Sequence, residues 1–140
     1  MKIALDVLGG DNAPLSTIEG AFSYLDDQGD SAAELILLGD KTQIETTIQK
    51  LSRNKSDIII HHTTEIVGMN ERSSRIFREK PNSSLVQAIK LVSEGEAQAA
   101  VCAGNTGALM ASSLFLIGKI PGIRRPAFAP FIPTNKGGFI

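Results

Sequence analysis

Short apolar runs of strand length alternate with segments whose apolar residues recur at helical spacing. That alternation constrains the fold more than any other property of the chain. Lys2–Val7 predicts a first strand. Pro14 then opens a helix in which Ile18, Ala21, Phe22 and Leu25 share one face. Glu34–Leu38 (ELILL) predicts a second strand closed by Gly39, and Asp40 caps a helix running to about Leu51, with Ile44, Ile48 and Leu51 inward. Asp57–His61 (DIIIH) predicts a third strand. The polar stretch from Thr63 to Asn82 holds a short helix near Ser74–Glu79. Asn82 or Ser83 caps a helix with Leu85, Ile89 and Val92 inward, ended by Gly95. A strand over 97–102, a glycine turn and a helix to about Gly118 follow. Ala127–Ile132 predicts a fifth strand, although Pro130 argues against an interior position for it. Strands alternating with helices predict an α/β fold over 1–140, a mostly parallel sheet covered on both faces in three layers.

Composition narrows the partners. The chain has 140 residues, a net charge of −1, one cysteine and no tryptophan. Balanced charge and few aromatics argue against nucleic acid. A single cysteine, Cys102, excludes an internal disulfide framework and fits a reducing cytoplasm. The apolar start of the chain is too short for a signal peptide. The longest apolar stretch, Gly107 to Gly118, carries Ser112 and Ser113 and falls short of the roughly 20 residues that span a bilayer.

In parallel α/β sheets, ligands bind outside the carboxyl ends of the strands. That rule selects the loops Leu8–Ala13, Gly39–Lys41, His61–Glu65 and Gly104–Gly107. In the last, Gly104 and Gly107 bracket Asn105 and Thr106 at the start of a helix, where backbone N–H groups and the helix dipole suit an anion. A plain strand-to-helix connection fits that segment equally well. In the first, Gly9 and Gly10 permit close backbone approach, and Asp6 and Asp11 supply carboxylates that orient a group or accept a proton. For Asp11, capping of the next helix, by it or by Asn12, is the simpler expectation. Arg78, Lys80, Ser83 and Ser84 gather cations and hydroxyls at a helix start, which suits a phosphate, although a solvated helix end with a capping serine accounts for them as well. Neither GxxxxGK[ST] nor GxGxxG occurs.

Taken in order, five segments resemble one family: Asp6-Val7-Leu8-Gly9-Gly10-Asp11 with Pro14; Ile66-Val67-Gly68-Met69; Arg78 and Lys80 ahead of Ser83-Ser84; Ala103 to Met110; and Arg125-Pro126-Ala127 with Pro133-Thr134. Together they resemble the N-terminal part of the bacterial phosphate acyltransferases of phospholipid synthesis, the acyl-ACP:phosphate transacylases. Leu8, Asn70, Ser73, Glu79, Asn82 and Cys102 depart from the usual pattern. The resemblance implies transfer of an acyl group from acyl carrier protein to inorganic phosphate, with no metal or cofactor. It implies a fold like isocitrate and isopropylmalate dehydrogenases and phosphate acetyltransferase. It further implies a cytoplasmic homodimer, peripheral to the inner membrane face, that hands acyl phosphate to a glycerol-3-phosphate acyltransferase. Family members are much longer, so residues 1–140 are expected to be the N-terminal portion of a larger catalytic domain.

For that chemistry, Asn105 and Thr106, with the N–H groups around them, are expected to bind phosphate or the tetrahedral oxyanion. Lys80 and Arg78 would neutralise phosphate charge, and Asp6 and Asp11 would orient the loop or manage a proton. A covalent role for Cys102 is disfavoured, because buried cysteine is usually inert. His61 and His62 fit a polar loop, and Met69 and Met110 fit core packing better than an acyl channel. Lys119, Arg124 and Arg125 offer a docking surface for an acidic carrier protein or an ordinary solvated helix end. The competing readings are an acyl-CoA-using phosphate acyltransferase and a non-catalytic anion-binding fragment.

Overall fold

The computed structural model describes residues 1–54, 56, 58–72, 75–127, 129, 132–134 and 137–139. Its centre is a parallel sheet of β1 (Lys2–Asp6), β2 (Glu34–Gly39), β3 (Ile58–His62) and β4 (Ala99–Cys102), ordered β3-β2-β1-β4. The helices are α1 (Leu15–Gln28), α2 (Lys41–Lys50), α3 (Ile76–Glu79), α4 (Ser84–Ser93) and α5 (Thr106–Leu116).

Two-residue alternation divides the sheet into two faces. Leu35, Leu37 and Val7 turn to one side and pack on Ile18, Ala21 and Phe22 of α1 and Ile44 and Ile48 of α2. Ala4, Ile36 and Leu38 turn to the other and pack on Ala88 and Leu91 of α4. A third cluster joins Ile76, Leu85, Val86, Ile89 and Ala108, tying α3, α4 and α5 together. Each large aliphatic side chain fully buried this way contributes about 1.5–3 kcal/mol.

The chain runs outward from β1 to β2 to β3, then crosses back to place β4 on the far side of β1. The direction of winding therefore reverses between β1 and β4, and the helices that follow those strands, α1 and α5, lie toward opposite faces. Register sets Asp6 beside Cys102 at this reversal.

Caps fall where the sequence places them. Asp40 Oδ1 accepts from the Gln43 N–H, and Ser83 Oγ accepts from the Val86 N–H. Two expectations need correction. Neither Asp11 nor Asn12 caps α1 through its side chain. Pro14 holds the cap position, and the Asn12 carbonyl accepts from the Ser16 N–H and hydroxyl instead. The fifth strand is not at Ala127–Ile132: Ala127 and Ala129 lie in no strand, and Phe128, Pro130 and Phe131 lie outside the described residues. Instead β5 (Ile132–Thr134) and β6 (Gly137–Phe139) form a separate antiparallel ribbon, a local pairing that needs no crossover connection. Asp57 and Ser74, placed in a strand and a helix by the sequence, also lie outside the described residues. Among the described residues, no helix is long and apolar enough to cross a membrane.

Candidate anion site at the strand reversal

The loops after β1 and β4 meet backbone to backbone. A Cβ on Gly9 would stand 2.8 Å from the Gly104 nitrogen and 2.9 Å from Asp6 Oδ2. A Cβ on Gly104 would stand 3.2 Å from the Gly9 Cα. Glycine is thus a steric requirement at position 9, while at position 104 a side chain would be tight against the facing backbone. Gly10 adds a different demand, a φ of +104°, which side chains disfavour.

Asp6 organises this junction from within. It is 2% exposed. Its Oδ1 accepts from the Leu8 N–H at 3.1 Å, and its Oδ2 accepts from the Cys102 thiol at 3.0 Å. The thiol sulfur in turn accepts from the Gly104 N–H at 3.3 Å. Burial first, then the charge and hydrogen bond of Asp6, push the Cys102 thiol up to about 12. A thiol held that far from ionisation is a poor nucleophile. Asp11, by contrast, is exposed.

Asn105 caps α5, its Oδ1 accepting from the Ala108 N–H at 3.0 Å. The two N–H groups of its Nδ2 are shared among the carbonyls of Gly68, Met69 and Glu71, each at 3.1 Å. The side chain is therefore spent inside the fold and is 8% exposed. What it leaves open is the first turn of α5. Helix geometry gives the N–H groups of Thr106 and Gly107 no acceptor within the helix, and Thr106 is exposed. The positive end of an 11-residue helix thus lies beside the glycine junction.

The second cluster that the sequence singles out is arranged differently. Ser83 and Ser84 are 0% and 2% exposed, and the Ser83 hydroxyl donates to the Lys80 carbonyl. Lys80 Nζ donates to Glu71 Oε1 at 2.6 Å and to the Ile66 carbonyl at 2.7 Å. Arg78 is exposed, its guanidinium 5.2 Å from the Phe77 ring centre. Glu71 is the residue that the sequence reading missed. Its nearness to Lys80 is created by the loop between β3 and α4, and spacing along the chain gives no sign of it.

The remaining candidates lie apart. His61 and His62 are the last residues of β3 rather than part of a loop, and His62 Nδ1 accepts from the Lys41 N–H at 3.1 Å. Met69 and Met110 are 56% and 46% exposed, so core packing does not account for them here. Lys119, Arg124 and Arg125 are exposed past the end of α5. An apolar groove of about 430 Å³ runs between α1 and the sheet, lined by Ile3, Leu5, Ala21, Tyr24, Leu35 and Val101. It lies on the sheet face rather than at the strand ends and carries no charged group. Among the described residues, no three His, Cys, Asp or Glu side chains could hold a metal ion.

Comparison with known proteins bears on this geometry. A family model described as fatty acid synthesis protein matches residues 1–140. A phosphate acyltransferase from Myxococcus xanthus is 41% identical over 138 residues, covering 99% of this chain and 38% of that protein. One from Desulforamulus reducens is 45% identical over 139 residues, covering 98% of this chain and 40% of that protein. The chain thus spans about 40% of the length of the curated relatives it matches. Among solved structures, the EutD phosphotransacetylase from Staphylococcus aureus superposes with a TM-score of 0.63 at 22% identity, over 99% of this chain and 44% of that one. That likeness supports the α/β fold and the expected resemblance to phosphate-acetyl-transferring enzymes in architecture.

Proposed function

Because the chain belongs to the fatty acid synthesis protein family, we propose that it supplies the phosphate-binding part of a phosphate acyltransferase site. One observation carries this reading: the open first turn of α5 stands beside the Gly9–Gly104 junction, at the reversal where ligands bind in such sheets. The reaction is attack of a phosphate oxygen on a thioester carbonyl. A carbon–oxygen bond forms, the carbon–sulfur bond breaks, and the phosphate's proton leaves with the thiol. Phosphate is already a nucleophile at neutral pH, so the protein's work is to hold one anion and to stabilise another as it develops.

The N–H groups of Thr106 and Gly107 serve that need, since they are fixed in direction before the ligand arrives and require no reorganisation. The Thr106 hydroxyl adds a donor. Asn105 acts at one remove: it keeps the helix end capped while leaving its two first N–H groups free. Asp6 fixes the glycine junction and does not reach solvent. The acyl donor we assign is acyl-[acyl carrier protein], with acyl phosphate entering phosphatidic acid synthesis. Docking of the acidic carrier on Lys119, Arg124 and Arg125, a homodimer, and delivery of acyl phosphate at the inner membrane face to a glycerol-3-phosphate acyltransferase complete the proposal.

Proline at the first helical position tests the central point. Asn105 already has φ −65° and ψ 104°, which a following proline accepts. Thr106→Pro therefore keeps the helix and removes one N–H along with the hydroxyl. Calorimetry with inorganic phosphate is expected to show binding that Thr106→Pro weakens about 10–100-fold and Thr106→Ala weakens less. Equal affinity in Thr106→Pro overturns the assignment. Trapping acyl phosphate with hydroxylamine, using acyl-[acyl carrier protein] against acyl-CoA, then separates the two donors. Phosphate binding with no transfer from either marks an anion-binding fragment.

A further inference from the structure

The segment between β3 and α4 crosses the strand ends and is gathered at a residue with no role so far. Glu71 Oε1 accepts from Lys80 Nζ and from the Gly68 N–H, both at 2.6 Å. The Lys80 ammonium also holds the Ile66 carbonyl, so both ends of the 66–71 loop are fastened by one ion pair. That loop presents the carbonyls of Gly68, Met69 and Glu71 to Asn105 Nδ2. Direct contacts therefore run from Lys80 to Glu71, to Gly68, to Asn105, and through its Oδ1 to the Ala108 N–H in the first turn of α5. Gly68 belongs to the arrangement: a Cβ there would stand 3.1 Å from Glu71 Oε1. The two charged side chains are about one-third exposed, at 31% and 35%, so this pair is better shielded than the surface pairs Lys2–Glu34 and Lys90–Glu94.

We propose that Glu71 is a positioning residue and that Lys80 acts through it: their ion pair shapes the 66–71 loop, the loop orients Asn105, and Asn105 aims the first turn of α5. Lys80 is then a structural counter-ion rather than a phosphate ligand. Two of the three ammonium hydrogens are already committed, to the Glu71 carboxylate and the Ile66 carbonyl, and the carboxylate balances the charge that a phosphate would draw on. The inference rests on the anion site proposed above.

Hydrogen exchange of the Gly68 N–H reads the loop, and calorimetry with inorganic phosphate reads its consequence. Glu71→Ala and Lys80→Met are each expected to raise Gly68 exchange about tenfold or more, because each removes the same charged hydrogen bond. The double variant is expected to add nothing beyond the larger single effect. Glu71→Gln keeps an oxygen acceptor and is expected to retain most of the protection. Phosphate affinity should fall by similar factors in Glu71→Ala and Lys80→Met, about three- to tenfold, and recover in Glu71→Gln. Unchanged exchange in both single variants overturns the proposal. A loss of phosphate affinity in Lys80→Met at least tenfold beyond that in Glu71→Ala, additive in the double variant, makes Lys80 a phosphate ligand and also overturns it. If the unmodified chain binds no phosphate, the anion site fails and the positioning role fails with it, while the exchange data still report separately on the ion pair.

Discussion

Two helices of this protein begin in the same way and offer different things. α4 starts at a capping serine after a basic segment, and α5 starts at a capping asparagine after a glycine. On sequence alone the first is the richer phosphate site, with Arg78, Lys80, Ser83 and Ser84 within seven positions. In the fold, the start of α4 is covered. A bridge pairs Ser83 with Glu65, the Thr64 and Glu65 N–H groups reach the Asn82 carbonyl, and the Lys80 ammonium is occupied. The start of α5 is bare at Thr106, with another strand's glycine loop beside it. Charge and hydroxyl content alone leave no donor open at α4, which is why the proposed anion site lies at α5, where donors without partners face a place that a ligand can reach.

The comparison can be broken at several points. Gly9→Ala should have the largest effect, since its Cβ meets backbone that cannot yield. We expect about 1–3 kcal/mol lost in urea unfolding, with phosphate binding abolished. Gly20→Ala is the control: nothing lies within 4 Å in α1, and stability should rise by about 0.5–1 kcal/mol.

The two caps come next. Ser83→Ala should cost about 0.5–2 kcal/mol and leave phosphate affinity unchanged. Asn105→Ala should cost more, because three carbonyls lose their donor along with the cap, and should weaken phosphate binding about tenfold or more. Equal phosphate affinities in the two variants would erase the distinction between the helix starts.

Cys102 gives a smaller effect. Cys102→Ala leaves Asp6 Oδ2 without its donor and, because a thiol is a weak donor, should cost about 0.5–1.5 kcal/mol, whereas Cys102→Ser keeps a donor and near-normal binding. With the thiol pushed up to about 12, alkylation at pH 8 should be slower than for a free thiol by about a thousandfold.

The smallest effect is a pH dependence. The Lys80 ammonium, then the Gly68 N–H, hold the Glu71 carboxyl below its ordinary value of 4.5. Its contribution is present above 4.5 and is lost as pH falls through the lowered folded value. Gly68 exchange, corrected for the intrinsic rate, should therefore stay protected at pH 5 and lose protection on further acidification. Glu71→Gln should remove that dependence.

Most of the architecture was legible because it follows from local rules. The ELILL run, the helical spacing of Ile44 and Ile48, and the Asp40 and Ser83 caps each declare their element within a few residues. The late strand was misplaced because Ala127–Ile132 has strand-like composition, whereas the pairing partner that defines β5 lies after it, at Gly137–Phe139. At the site, the glycines and the helix start were readable, since backbone approach and free N–H groups have signatures in residue type. The state of each polar side chain was not. Asn105 and Lys80 read as donors to a ligand, and nothing in the sequence signals that Gly68, Met69 and Glu71 carbonyls lie at the Asn105 amide or that Glu71 lies beside Lys80.

Sequence by itself determined the first four strands and the helices, the parallel class of the sheet, the caps of α2 and α4 and the presence of two glycine loops. All depend on periodicity and on single-residue stereochemistry, which act over short stretches of chain. Only the tertiary structure decided that β4 lies against β1, that Gly9 and Gly104 touch across 95 positions, and which polar groups remain unpaired. A hydrogen bond excludes others at the same donor, so what a side chain is free to do depends on residues far away in sequence that the fold alone brings near.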